Sequence, residues 1–284
     1  MRLCRCLPII LPVPQPGTNR RVASATPVAS DGMYEVVLLR HGETLGYDGD
    51  HGLTPRGEEQ ARARGKALAA EIAPGARVLM PHARTSRATA TAVTLRAALV
   101  AEGVDESLLG ELYAEPHVDN LRFSLDGEVV DTSVAVSARL ALPDGHDDDW
   151  VREYDRFDSD YREVAAAGGP IEFWVRNPTL YFEPPQLGAL RLWLGIETLG
   201  SRLRDAGAAL ALVCTHSAPM RAFAATTFGV DLGEPENLEP IRVRVGEGVD
   251  AGTARVDYRD RTVTTRIPTP PAWFDRAWLD SYGR

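Results

Sequence analysis

The 284-residue chain is 44% hydrophobic and 25% charged, the balance of a globular protein with ample material for a core. Its formal net charge of −9 disfavours nucleic acid and anionic membranes as partners, so an anionic ligand would need a local cationic pocket. Cys4, Cys6 and Cys214 have neither the number nor the spacing of a disulfide framework or zinc site, and no apolar run approaches the ~18 residues of a membrane span.

Residues 1–32 begin with basic residues and a short apolar patch, interrupted by Pro8, Pro12, Pro14 and Pro16 and followed by two arginines. That pattern argues against a secretory signal and for a disordered extension on a soluble, cytoplasmic protein. The folded part is expected to run from Met33 to about residue 268. A first strand is read at Tyr34–Leu39 and a helix opening at Thr54-Pro55, where threonine caps and proline takes the first helical position. Leu68, Ile72 and several alanines form the apolar stripe of that helix. A second strand follows at 76–80, a helix at 86–103 closed by Gly103, and a short strand at 110–116.

Residues 117–186 are less regular and read as an insertion or cap, with an acidic turn and a helix within 146–169. Regular structure resumes with a helix at 187–207, a buried strand at 208–214, and a helix closed by Gly229. Residues 241–245, 254–260 and 262–268 read as antiparallel edge strands, and 269–284 as a tail. Alternation of short apolar runs with helices predicts a three-layer α/β/α sandwich around a mostly parallel sheet.

Two stretches share one grammar. "VVLLRHGET" delivers Arg40, His41 and Gly42 from the end of an apolar strand, and "LALVCTHS" delivers His216 in the same way. Ligands of open parallel sheets bind outside the carboxyl ends of the strands. Two histidines that are distant in sequence are therefore candidates for one site.

With "LRHGET" (39–44), "LTPRGEEQA" (53–61), "SRATATA" (86–92) and "THS" (215–217) in this order, the chain resembles the histidine phosphatase superfamily, which includes the cofactor-dependent phosphoglycerate mutases. The similarity spans roughly 34–116 and 187–229. It implies that His41 is the nucleophile, attacking phosphorus to form a phosphohistidine. It implies that Arg40, Arg87 and His216 hold the phosphoryl oxygens, a task suited to the planar fork of arginine. Gly42 would let the backbone turn beside the phosphate. An acid must protonate the leaving oxygen, and position favours Glu115, with Asp119 next and Glu111 behind. No metal or cofactor is implied, because side chains supply the cations. The implied partner is a small phosphorylated substrate, with oligomeric state left open.

Three functions stay open: a metal-independent phosphatase, a phosphoglycerate mutase, and a phosphate-binding or interaction module without catalysis. The loop "LGYDGDHG" (45–52), "PHARTSR" (81–87) and Ser217 depart from the mutase pattern and weigh against that specificity. Of the acidic runs "DGHDDDW" and "DRFDSDYRE", the second lacks the glycine and ligand spacing of a calcium loop, and the two read as a solvated acidic loop and helix face. Phe173, Trp174, Tyr181 and Phe182 are expected to pack the insertion onto the core.

Overall fold

A computed structural model describes residues 33–163, 171, 174–175, 181–246, 252–272 and 274. The expected N-terminal extension, Phe173 and most of the tail lie outside them. The chain begins with β1 (Tyr34–Arg40), α1 (Pro55–Ala69), β2 (Val78–His82), α2 (Ser86–Ala101) and β3 (Leu109–Ala114). A hairpin of β4 (Arg122–Leu125) and β5 (Glu128–Asp131) then leads into α3 (Thr132–Leu140) and α4 (Asp149–Glu163). After these come α5 (Pro185–Asp205), β6 (Leu210–Thr215), α6 (Ser217–Phe228) and the strands β7 (Pro240–Val245), β8 (Thr253–Tyr258) and β9 (Arg261–Arg266).

The seven-stranded sheet has the order β3-β2-β6-β1-β7-β8-β9. Its first four strands are mutually parallel, and β7, β8 and β9 continue it as an antiparallel meander. The fold is therefore the expected α/β sandwich with a mixed, largely parallel sheet. Of the three strands read as edges, β9 lies at the edge, whereas β7 lies between β1 and β8 and β8 between β7 and β9.

β1 shows why its sequence is apolar throughout. Val36 and Leu38 pack with Leu192, Trp193 and Ile196 of α5 and Phe223 of α6. Val37 and Leu39 face the other layer, with Leu68 of α1 and Leu95 and Leu99 of α2. A strand covered on both faces has no solvent side on which to alternate polar residues. Thr54 caps α1 by accepting from the Gly57 N–H, and Gly229, at φ 69°, closes α6.

The insertion carries more order than its sequence suggested. Asp126 and Gly127, at φ 52° and 83°, form the two-residue turn between β4 and β5, a pairing of residue types suited to positive φ. Phe123 of β4 and Trp150, Tyr154 and Phe157 of α4 join Trp174 and Phe182 in one apolar cluster. That cluster also takes in Ala218 and Ala222 of α6. Trp174 and Phe182 thus pack the insertion onto the core, as expected.

The loop after β1 is pressed against the first turn of α1. A Cβ on Gly42 would stand 2.5 Å from the Gly57 carbonyl oxygen, and one on Gly57 would overlap the Glu43 carbonyl oxygen. Gly42 is needed for this backbone contact, since its φ is not positive. Gly57→Ala should therefore lower stability by about 1–3 kcal/mol through overpacking. Gly52→Ala, with nothing within 4 Å of its Cβ position, should stay within about 0.5 kcal/mol. Urea unfolding of the two variants checks this, and equal stabilities would contradict the packing account.

Candidate functional site

The pairing of β1 with β6 builds the site. Arg40 stands opposite Thr215 in parallel register, so the next residue of each strand is a histidine on the same edge. The His41 N–H donates to the Thr215 carbonyl at 2.9 Å, and the two rings sit edge to face with centroids 5.0 Å apart. Both are 2% exposed. They lie on the wall of a cavity of about 800 Å³, together with Arg40, Arg87 and Ser217.

The hydrogen bonds of His41 fix its tautomer. Its Nδ1 lies 2.7 Å from the Gly42 carbonyl oxygen, which can only accept, so Nδ1 carries the proton. The Nε2 lone pair is then available for attack. Burial, followed by the positive charges of Arg87 and Arg40, lowers the His41 pKa to about 3 despite the Gly42 bond. His216 is pushed well below its ordinary value by burial, Arg87 and His41, and its Nε2 lies 3.1 Å from the Thr85 hydroxyl. Both imidazoles are neutral at pH 7.

The two arginines are held differently. The Arg40 Nη1 donates to the Pro235 carbonyl at 2.6 Å and lies 3.0 Å from Glu234. Arg87 is 1% exposed, yet among the described residues its Nε and Nη1 have no hydrogen-bond partner. Its nearest carboxylate is Asp50, 3.6 Å away, which also accepts from the Ser86 N–H at the start of α2. A buried guanidinium with two unused donors is unfavourable unless an anion completes it. The amino end of α6 adds partial positive charge at Ser217.

Four of the five expected site residues, Arg40, His41, Arg87 and His216, come together on the cavity. Glu115 does not line it. Glu115 caps the short turn Pro116–Val118, and its carboxylate folds back to accept from the His117 Nδ1 at 2.5 Å, with Arg202 3.2 Å from its other oxygen. Burial pushes its carboxyl up, but the His117 hydrogen bond and the charges of His117 and Arg202 outweigh it and hold the pKa lowered. That placement is opposite to what a proton donor at the cavity needs. Asp119 is engaged by the Arg84 N–H and guanidinium, and Glu111 is exposed on β3. Among the described residues, the carboxylates on the cavity wall are Asp48, Asp158, Glu234 and Glu236.

Sequence reasoning missed Asn237, whose amide donates to the His41 carbonyl at 2.7 Å, and Thr91, whose hydroxyl accepts from the Gly42 N–H. Asn237 sits in no recognisable motif, and Thr91 lies within "SRATATA" (86–92) without a role assigned to it. Asp50 was visible only as part of the loop 45–52. The other histidines are occupied: His51 by Asp48, His146 by Asp148, and His82 by the Ala83 carbonyl.

Residues 36–117 match the model of the histidine phosphatase superfamily (branch 1). A phosphoglycerate mutase from Bacillus anthracis strain Sterne superposes with a TM-score of 0.53 at 15% identity, covering 81% of this chain and 93% of that one. A mycobacterial glucosyl-3-phosphoglycerate phosphatase superposes with a TM-score of 0.46 at 16% identity, over 80% of this chain and 99% of that one. The mutase likeness is one of fold. No curated protein matches the chain by sequence.

The neutral histidines give a pH prediction. Below the ordinary histidine pKa of 6.5 the unfolded chain binds more protons than the folded one, so stability falls as pH drops toward about 3. His41→Asn removes one such group. Its stability by urea unfolding should fall less than that of the parent between pH 7 and pH 4.5. Parallel losses would show that His41 is not held neutral.

Proposed function

We propose that the chain belongs to the histidine phosphatase superfamily and is a metal-independent phosphatase that hydrolyses a small phosphomonoester through a phosphohistidine on His41. The observation that carries this reading is the His41 ring, whose Nδ1–H is committed to the Gly42 carbonyl and which shares the cavity wall with the charges of Arg87 and Arg40. In the first step the Nε2 lone pair attacks phosphorus, an N–P bond forms, and the ester P–O bond breaks. The Gly42 carbonyl then stabilises the charge that develops on the imidazole. In the second step water attacks, the N–P bond breaks, its electrons return to Nε2, and inorganic phosphate leaves.

Phosphoryl transfer spreads charge over the equatorial oxygens, so positioned cations provide most of the acceleration. The unused Nε and Nη1 donors of Arg87 and the Nε of Arg40 suit that task. A dianionic phosphoryl group beside His216 favours its imidazolium, which then donates to a third oxygen. Because arginines supply this charge, the mechanism requires no divalent metal.

The leaving oxygen needs a proton that the attacking water later returns. Among the described residues, Asp48, Asp158, Glu234 and Glu236 are the carboxylates on the cavity wall, and the assignment passes to this set in place of Glu115.

Two outcomes follow. Phosphate release from an aryl phosphate should persist in excess EDTA and fall at least about a thousandfold in His41→Ala, and unchanged turnover in the variant would sink the mechanism. Arg87→Met should lower kcat/KM by about 10²–10³-fold, measured in the same assay. Transfer between phosphoglycerates without release of phosphate would favour a mutase instead.

A further inference from the structure

The buried Arg87 guanidinium keeps two donors open, and something must hold it in place without taking them. We infer that Asp50 is the positioning residue for Arg87, a fixed carboxylate that orients the guanidinium by charge and leaves Nε and Nη1 for the phosphoryl oxygens. This rests on the phosphatase reading above, which gives Arg87 its task.

Asp50 is fixed by the residue next to Arg87 in the chain. The Ser86 N–H donates to both carboxylate oxygens of Asp50, at 2.9 and 3.0 Å, and the Ser86 hydroxyl donates to one of them at 2.8 Å. Ser86 is the first residue of α2, and the leading N–H groups of a helix have no partner within it. The amino end of a helix also favours negative charge. The carboxylate is anchored there, with its nearer oxygen 3.6 Å from the Arg87 Nη1. Arg87 lines the cavity and Asp50 does not, so Asp50 acts on a bound phosphoryl group through the arginine.

The 3.6 Å separation decides the role. At that distance opposite charges still attract, but no hydrogen bond forms. Arg191 shows the alternative: its Nε and Nη2 reach the two oxygens of Glu183 at 2.8 and 2.7 Å, and both donors are consumed. Arg87 is equally buried, yet its Nε and Nη1 have no hydrogen-bond partner among the described residues. A long side chain without bonds on those atoms needs another restraint to keep one orientation. Loop 45–52 supplies it twice, through Asp50 and through the Tyr47 ring, whose centroid lies 5.9 Å from the Arg87 Cζ. The loop is pinned from α3 as well, where the Ser137 hydroxyl donates to the Asp48 carbonyl at 2.9 Å.

A helix cap and a positioning charge differ in their dependence on Arg87. If Asp50 only closes the end of α2, its loss weakens the fold and lowers activity equally with or without that arginine. If it acts through Arg87, the effect vanishes when the guanidinium is removed. The test is a double-mutant cycle of kcat/KM on phenyl phosphate for the full chain, Asp50→Ala, Arg87→Met and the double variant. Asp50→Ala should lower kcat/KM about tenfold or more in the parent and less than about twofold in the Arg87→Met background. Asp50→Asn keeps an oxygen for the Ser86 N–H and loses the charge. It should show the same dependence on Arg87, and it serves in place of Asp50→Ala if that variant does not fold.

Equal fold losses in the two backgrounds, or parent-level kcat/KM in Asp50→Asn, would overturn the inference. Turnover that requires His41 leaves the phosphatase reading standing whichever way the cycle falls. If the parent does not turn over phenyl phosphate, that reading fails, and the same cycle is read from calorimetric binding of inorganic phosphate. There, an affinity loss that depends on Arg87 supports the inference. A loss independent of Arg87, or no loss, removes it.

Discussion

The parallel pairing of β1 with β6 is the constraint on which the site depends. It sets Arg40 opposite Thr215 and so places His41 and His216 side by side, although 174 residues separate them in sequence. A shift of one residue in that register would turn both strands' side chains to the wrong layers. The two apolar faces of β1, each covered by its own pair of helices, hold the register fixed. Site geometry and core packing therefore have a single origin. The Thr215 hydroxyl extends it outward by donating to the Val118 carbonyl, which ties the segment after β3 to the same strand end.

Burial is what makes these side chains useful. In water, an imidazole is half protonated near pH 6.5 and an arginine attracts a phosphate weakly. Here low dielectric and two neighbouring guanidiniums keep His41 neutral, and the same environment leaves donors of Arg87 without a partner. A second buried arginine has the opposite fate. Arg191 pairs with both oxygens of Glu183 and donates to the carbonyls of His117, Asp119 and Asn120. It is satisfied and structural, and it holds Asn120 at the cavity wall. The contrast between the satisfied and the unsatisfied arginine separates scaffold from site.

Much of this was legible in the sequence. Continuous apolar runs ending in histidine announced β1 and β6, and Thr54-Pro55 and Gly229 marked helix ends, because these features depend on local chemistry. The β4–β5 hairpin was also written locally, in Asp126-Gly127, but short strands with weak alternation hid it. Asn237 was not legible, since its role arises from a contact between distant segments. Glu115 marks the limit of transferring a role by position. Its place after β3 was read correctly, but the turn through Pro116 directs its carboxylate to His117 and Arg202.

The central claim is that a neutral Nε2 of His41 becomes bonded to phosphorus during turnover. Rapid quenching of the enzyme with an aryl phosphate, in alkali to preserve phosphoramidate bonds, followed by peptide mapping tests it directly. The account predicts one phosphorylated peptide, containing "LLRHGET", with the phosphoryl group on His41 and none in His41→Asn. A phosphoryl group on another residue, or multiple-turnover hydrolysis with no trapped phosphoenzyme under single-turnover quench, would contradict it.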